Sequence, residues 1–173
     1  MKRQCLVLLV ENNAGVLARI SSLFVQRGFN IDSLTVSPTE TEKLSRITLV
    51  TTGDTKTLNQ IIKQSSKLNE AKLVFPIEEE FSLVREILMV KFANDNANKD
   101  EIIKIGDSYG AKVIDSFGAN IIDITNGCFV AELSASSQKI DEFLEATAAY
   151  EMIEMCRSGA IAMERGKVSY DIN

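Results

Sequence analysis

At Glu11 the apolar pattern of this chain changes period. Before it, Cys5-Leu6-Val7-Leu8-Leu9-Val10 is a short unbroken apolar run of the kind found in strands. After it, Val16, Leu17, Ile20, Leu23 and Phe24 recur at the spacing of one helix face. The chain therefore opens as a strand that turns through Glu11-Asn12-Asn13 into an amphipathic helix. Asn12 or Asn13 is expected to cap that helix, with Gly28 as the C′ residue.

The same reasoning carries on down the sequence. Residues 30–37 read as a strand closed by Pro38 and the polar loop Thr39 to Lys43, and residues 45–52 as its hairpin partner. Asp54 is placed to cap a helix bearing Leu58, Ile61, Ile62 and Leu68, and a strand at about 71–76 ends at Pro76. Glu78-Glu79-Glu80 breaks the pattern and marks a boundary. The order then returns. It gives a strand at 85–92, a loop from Ala93, and a helix from Asn98 to near Gly110. Strands follow at about 111–117 and 128–134, with 120–125 as an extra strand or arm. A helix opened by Ser136 or Ser137 carries Ile140, Phe143 and Leu144, and strands at about 151–156 and 159–163 close the chain. Both halves thus predict strand-helix-strand-strand-helix-strand. The fold class is α+β, two ferredoxin-like βαββαβ domains in tandem over residues 1–77 and 83–173.

In such a domain both helices cover one sheet face. Leu6, Leu8 and Val10 point one way and Val7 and Leu9 the other, so the first strand is apolar on both faces. Burial stabilises roughly 25 cal/mol per Å² of apolar surface, so association of sheets or subunits is the expected remedy.

Composition narrows the function. The 173 residues carry a net charge of -5 and include no histidine. An acidic chain without basic clusters is a poor partner for nucleic acid. Lacking histidine, it has no Ser-His or Cys-His nucleophile pair and lacks the commonest metal ligand. Cys5, Cys128 and Cys156 are too scattered for a disulfide framework or metal cluster, and Cys128 and Cys156 read as buried small apolar residues. Lys2-Arg3 and the run after it are too short for a signal peptide, and no apolar run reaches membrane-spanning length. A cytoplasmic location is expected. Asn94 to Asn98 lacks the glycine and glutamate of a calcium loop, so it reads as polar loop.

The segment Glu11-Asn12-Asn13-Ala14-Gly15-Val16 joins strand to helix, where unpaired N–H groups and the helix dipole favour an anion such as a carboxylate. Gly15 admits close approach, and an asparagine amide offers both donor and acceptor. Together these parts suit a small apolar amino acid. Spacing alone favours ordinary capping, which explains Asn and Gly at almost any helix start. Asn30 and Ile31, after Arg27-Gly28-Phe29, read either as a helix exit or as groups facing a ligand between subunits.

Leu8 to Ile20, Gln26 to Thr39 and Leu44 to Val50 closely resemble the ACT domain of acetolactate synthase small subunits. Arg85 to Lys91, Arg157-Ser158-Gly159 and Arg165-Gly166 resemble that family's carboxy-terminal domain. The resemblance implies a non-catalytic regulatory subunit of branched-chain amino acid biosynthesis that dimerises through its ACT domains. It implies a catalytic large subunit as partner, which carries thiamine diphosphate, Mg2+ and FAD. The chain itself would hold no cofactor and would activate that partner. Valine, or leucine or isoleucine, would inhibit by binding between paired ACT domains. The implied ligand-binding residues are Asn12, Asn13, Ala14, Gly15, Val16, Asn30 and Ile31, with Asn12 and Gly15 of one subunit facing Asn30 and Ile31 of the other. Arg157, Arg165 and Lys167 are either contacts to the large subunit or to a ligand of the second domain, or exposed turn residues. A free-standing ACT sensor of another protein is the alternative. An acylphosphatase-like enzyme is disfavoured, because Arg19 lies inside the helix and not in a loop after the first strand.

Overall fold

The computed structural model describes residues 2–93 and 117–166. Two compact units emerge: Met1–Val84 together with Gly159–Asn173, and Arg85–Ser158. The helix expected over 98–110, the loop to Asn98, Lys167 and all but the last residue of the strand expected at about 111–117 lie outside the described residues; that last residue, Phe117, is helical.

The first unit runs β1 (Lys2–Glu11), α1 (Val16–Gln26), β2 (Ser33–Pro38), β3 (Leu44–Gly53), α2 (Thr55–Ser65) and β4 (Ala71–Ile77). A 3-10 turn at Glu79–Phe81 follows where the three glutamates break the pattern. The sheet is antiparallel in the order β2-β3-β1-β4. β1 is central, which is why Leu6 to Val10 are all buried. Leu6, Leu8 and Val10 meet Val16, Ile20 and Phe24 of α1, Ile61 of α2, and Ile47 and Leu49 of β3.

The helix ends follow from local chemistry. α1 closes with a Schellman motif: Gly28 N donates to Val25 O at 3.1 Å and Phe29 N to Phe24 O at 2.9 Å. Gly28 has φ +68°, and the Phe24 and Phe29 rings meet edge to face at 5.7 Å. α2 is capped as expected, Thr57 N donating to Asp54 Oδ1 at 2.7 Å. That bond holds the Asp54 carboxyl below the usual carboxylate range. The cap therefore contributes at neutral pH and is lost as pH falls through the lowered value. Asp54→Ala is expected to speed amide exchange in the first turn of α2 at pH 7. The difference from wild type should shrink once the pH drops below the ordinary carboxylate range.

The second face of β1 is covered by the chain itself. β9 (Ile161–Glu164) returns to the first unit, and Ala162 packs with Val7 and Ile77, flanked by Cys5, Phe75 and Val84. Arg46 Nη2 donates to Ala162 O at 2.7 Å, Ala160 N to Ser33 Oγ at 3.1 Å, and Arg165 N to Phe81 O at 2.8 Å. The apolar back of β1, expected to drive association, is thus satisfied within one chain. Residues from Gly159 onward group with the first half of the sequence and not with the second.

The second unit contains most of β5 (Ser82–Ala93), with β6 (Asn120–Thr125), β7 (Cys128–Ala135), α3 (Ser137–Ala146) and β8 (Met152–Arg157). Strand order is β6-β7-β5-β8. Residues 120–125 are a full strand. Asn126 (φ 50°) and Gly127 (φ 73°) form the two-residue turn that pairs it with β7. Leu88, Val90, Phe92, Phe129, Ala131 and Leu133 pack on Ile140 and Phe143 of α3, which Ser136 caps through Lys139 N.

Two expectations change here. Cys156 is exposed and Cys128 half-buried, because Cys156 lies on the edge strand β8. Arg157 is neither a turn residue nor a free surface cation. Nε donates to Glu86 Oε2 at 2.6 Å, Nη1 to Asp141 Oδ1 at 2.6 Å and Nη2 to Ser137 Oγ at 2.6 Å, joining β8, β5 and α3.

Candidate functional site

The β1–α1 corner differs in one respect from the expected cap. Neither asparagine caps α1. Gly15 occupies the N-cap position with φ +88°, and no side chain bonds to the first turn. Asn12 is turned toward the β2–β3 loop: its backbone N donates to Lys43 O at 2.8 Å and its Nδ2 to Glu42 O at 3.2 Å. Asn13 Nδ2 donates to Glu11 Oε2 at 2.9 Å. Glu11 also pairs with Lys72 Nζ at 2.6 Å, which holds its carboxyl below the usual range.

Because the asparagine amides are engaged elsewhere, the first-turn N–H groups of α1 are left without a side-chain acceptor. Space above them is open: a Cβ built on Gly15 meets nothing within 4 Å. Residues 12–15 are exposed, while Val16 is buried in the first core. The corner offers an anion donors, dipole and access.

Asn30 and Ile31 follow the Schellman motif of α1 and precede β2, which starts at Ser33, three residues later than expected. Ile31 packs half-buried against the first core, and Asn30 is exposed. Asn30 O accepts from Thr51 Oγ1 at 2.8 Å, and Asn30 Nδ2 donates to Asp32 Oδ1 at 2.5 Å. Thr52 Oγ1 holds the other Asp32 oxygen at 2.7 Å. Asp32 and Thr52 did not stand out in the sequence. The signal present was the two-residue spacing from Asn30 to Asp32, which in extended backbone puts both side chains on one face.

Within one chain these two groups do not meet. Asn12 adjoins Lys43, at the Glu11↔Leu44 end of β1–β3, while Asn30 adjoins Thr51, opposite Gln4. Seven strand residues, about 23 Å, separate those positions.

The β1-α1-β2-β3-α2-β4 order is ferredoxin-like, and the first unit belongs, by the match that follows, to the ACT class of such domains. A family model described as an AHAS small subunit-like ACT domain matches residues 6–71. A second, described as small subunit of acetolactate synthase, matches residues 85–166. The acetolactate synthase small subunit of Buchnera aphidicola (subsp. Schizaphis graminum) is 36% identical over 95% of this chain and 99% of that protein. The isozyme 3 small subunit of Escherichia coli K12 is 37% identical over 95% of this chain and 96% of that one. The crystal structure of the small subunit from Thermotoga maritima superposes with a TM-score of 0.84 at 33% identity, covering 97% of this chain and all of that one. The chain belongs to the acetolactate synthase small-subunit family.

No helix among the described residues is long and apolar enough to cross a membrane.

Proposed function

We propose that this chain is the regulatory subunit of an acetolactate synthase. It activates a thiamine-dependent catalytic subunit and makes that enzyme sensitive to feedback inhibition by valine or another branched-chain amino acid. Thiamine diphosphate, Mg2+ and FAD belong, on this reading, to the catalytic partner. The observation that carries the proposal is the pair of half-sites at opposite ends of one sheet. A ligand touching both the Asn12–Gly15 corner and Asn30–Ile31 requires a second copy, with the corner of one subunit facing Asn30 of the other. An amino acid held at that seam favours one arrangement of the pair. If the catalytic partner favours another, the two are coupled, typically by about 1–3 kcal/mol.

Reconstitution with the cognate catalytic subunit tests this. Acetolactate formation should rise when the chain is added and fall when valine is added. Asn12→Ala, or a substitution at Gly15, should abolish the fall and keep the rise. No activation by the wild-type chain would end the regulatory reading. Loss of activation and inhibition together in the variants would assign those residues to folding.

A further inference from the structure

Asn30 is held in one orientation by its neighbours. A carboxylate accepts hydrogen bonds and donates none, so the Asn30 group facing Asp32 Oδ1 at 2.5 Å is its NH2. The Asn30 carbonyl oxygen therefore points away from Asp32. Asp32 is itself fixed from β3, Thr52 Oγ1 donating to its second oxygen at 2.7 Å. The Asn30 backbone is fixed from the same strand, through Thr51 Oγ1 at 2.8 Å. All three side chains, Asn30, Asp32 and Thr52, are exposed, so the acceptor they present is open to a ligand.

This gives the seam a direction. The α1 corner offers N–H donors to an anion, whereas the Asn30 end offers a carbonyl acceptor backed by a negative charge. We propose that Asp32 is a positioning residue for the effector site. It locks the Asn30 amide so that its oxygen receives an ammonium group, and its charge favours that ammonium. The site then selects a zwitterionic α-amino acid over the 2-oxo acid with the same side chain. This rests on the ligand reading above and adds the residue that sets the selectivity.

Calorimetry on the full-length, assembled chain separates the two ideas, with L-valine and 3-methyl-2-oxobutanoate as probes. Wild type should bind valine about a hundredfold more tightly than the oxo acid, as expected for losing hydrogen bonds to a charged group. Asp32→Asn keeps the size of the side chain but can also donate to the Asn30 oxygen, so the amide is free to turn. Valine affinity should fall about tenfold or more, oxo-acid affinity should hold, and the ratio should shrink. Asp32→Glu, again a pure acceptor, should move the ratio back toward wild type. If Asp32→Asn weakens both probes equally, or weakens neither, or if Glu fails to restore the ratio, the positioning role is overturned. If wild type binds no branched-chain amino acid, the sensor reading falls and this role with it.

Discussion

Arg157→Ala should unfold the second unit well before wild type, lowering its stability by about 3–5 kcal/mol. The Arg157 guanidinium ties its own strand β8 to two further elements, β5 and α3, through three bonds, and its partner Glu86 has a side chain only 2% exposed. Removing the cation takes a charged partner from a carboxylate that water cannot reach, and this costs more than the pair contributed. Arg157→Lys should lie between the two, because an ammonium lacks the planar fork that spans Glu86, Asp141 and Ser137. Hydrogen exchange resolved by segment checks this: protection should drop across β5, β7 and α3. A loss below about 1 kcal/mol, the size of a surface ion pair, would show that Glu86 finds adequate solvation without Arg157.

Gly159→Val should dislodge the returning segment from the first sheet, at a cost of about 3 kcal/mol. A Cβ on Gly159 would collide with Thr35 Oγ1 and lie 2.9 Å from Ser33 Oγ and 3.0 Å from Leu34 O. The last of these is backbone and cannot rotate aside. Displacement breaks the Ala160–Ser33 and Arg46–Ala162 bonds and lifts Ala162 off Val7. The variant should bind an apolar dye that wild type does not, and lose protection along β1 and β2. Unchanged exchange at Val7 and Thr35 would mean that the segment does not seal this face.

The contacts of these two residues are also the least legible in the sequence. The first half was legible almost element by element, because apolar runs, helical spacing and the Asp54 cap all pointed the same way. The sequence predicts an asparagine cap on α1 because asparagine is a good cap, but Asn13 turns back to Glu11 and Asn12 is drawn to Glu42 O, thirty residues on. The start of β2 was placed too early because Asn30 to Asp32 are held chiefly through Thr51 and Thr52, twenty residues on. The β6–β7 hairpin was legible in principle: Asn126-Gly127 is the dipeptide such a turn requires. Arg157 and Gly159 were not, since their partners lie far along the chain and charge or glycine alone does not identify them. For the proposed effector site, the corner and the Asn30 segment follow from residue chemistry together with family resemblance. Their separation along one sheet needed the strand register.

The closing of the first sheet by β9 also bears on how this protein is made. At ribosomal rates of about 5–20 residues per second, the roughly eighty residues between Val84 and Ile161 take several seconds to appear. Val7, Phe75 and Ile77 have no native cover from Ala162 during that time. The amino-terminal half emerges first yet cannot finish first, so the nascent chain offers a greasy sheet surface to chaperones until Ile161–Glu164 has been translated.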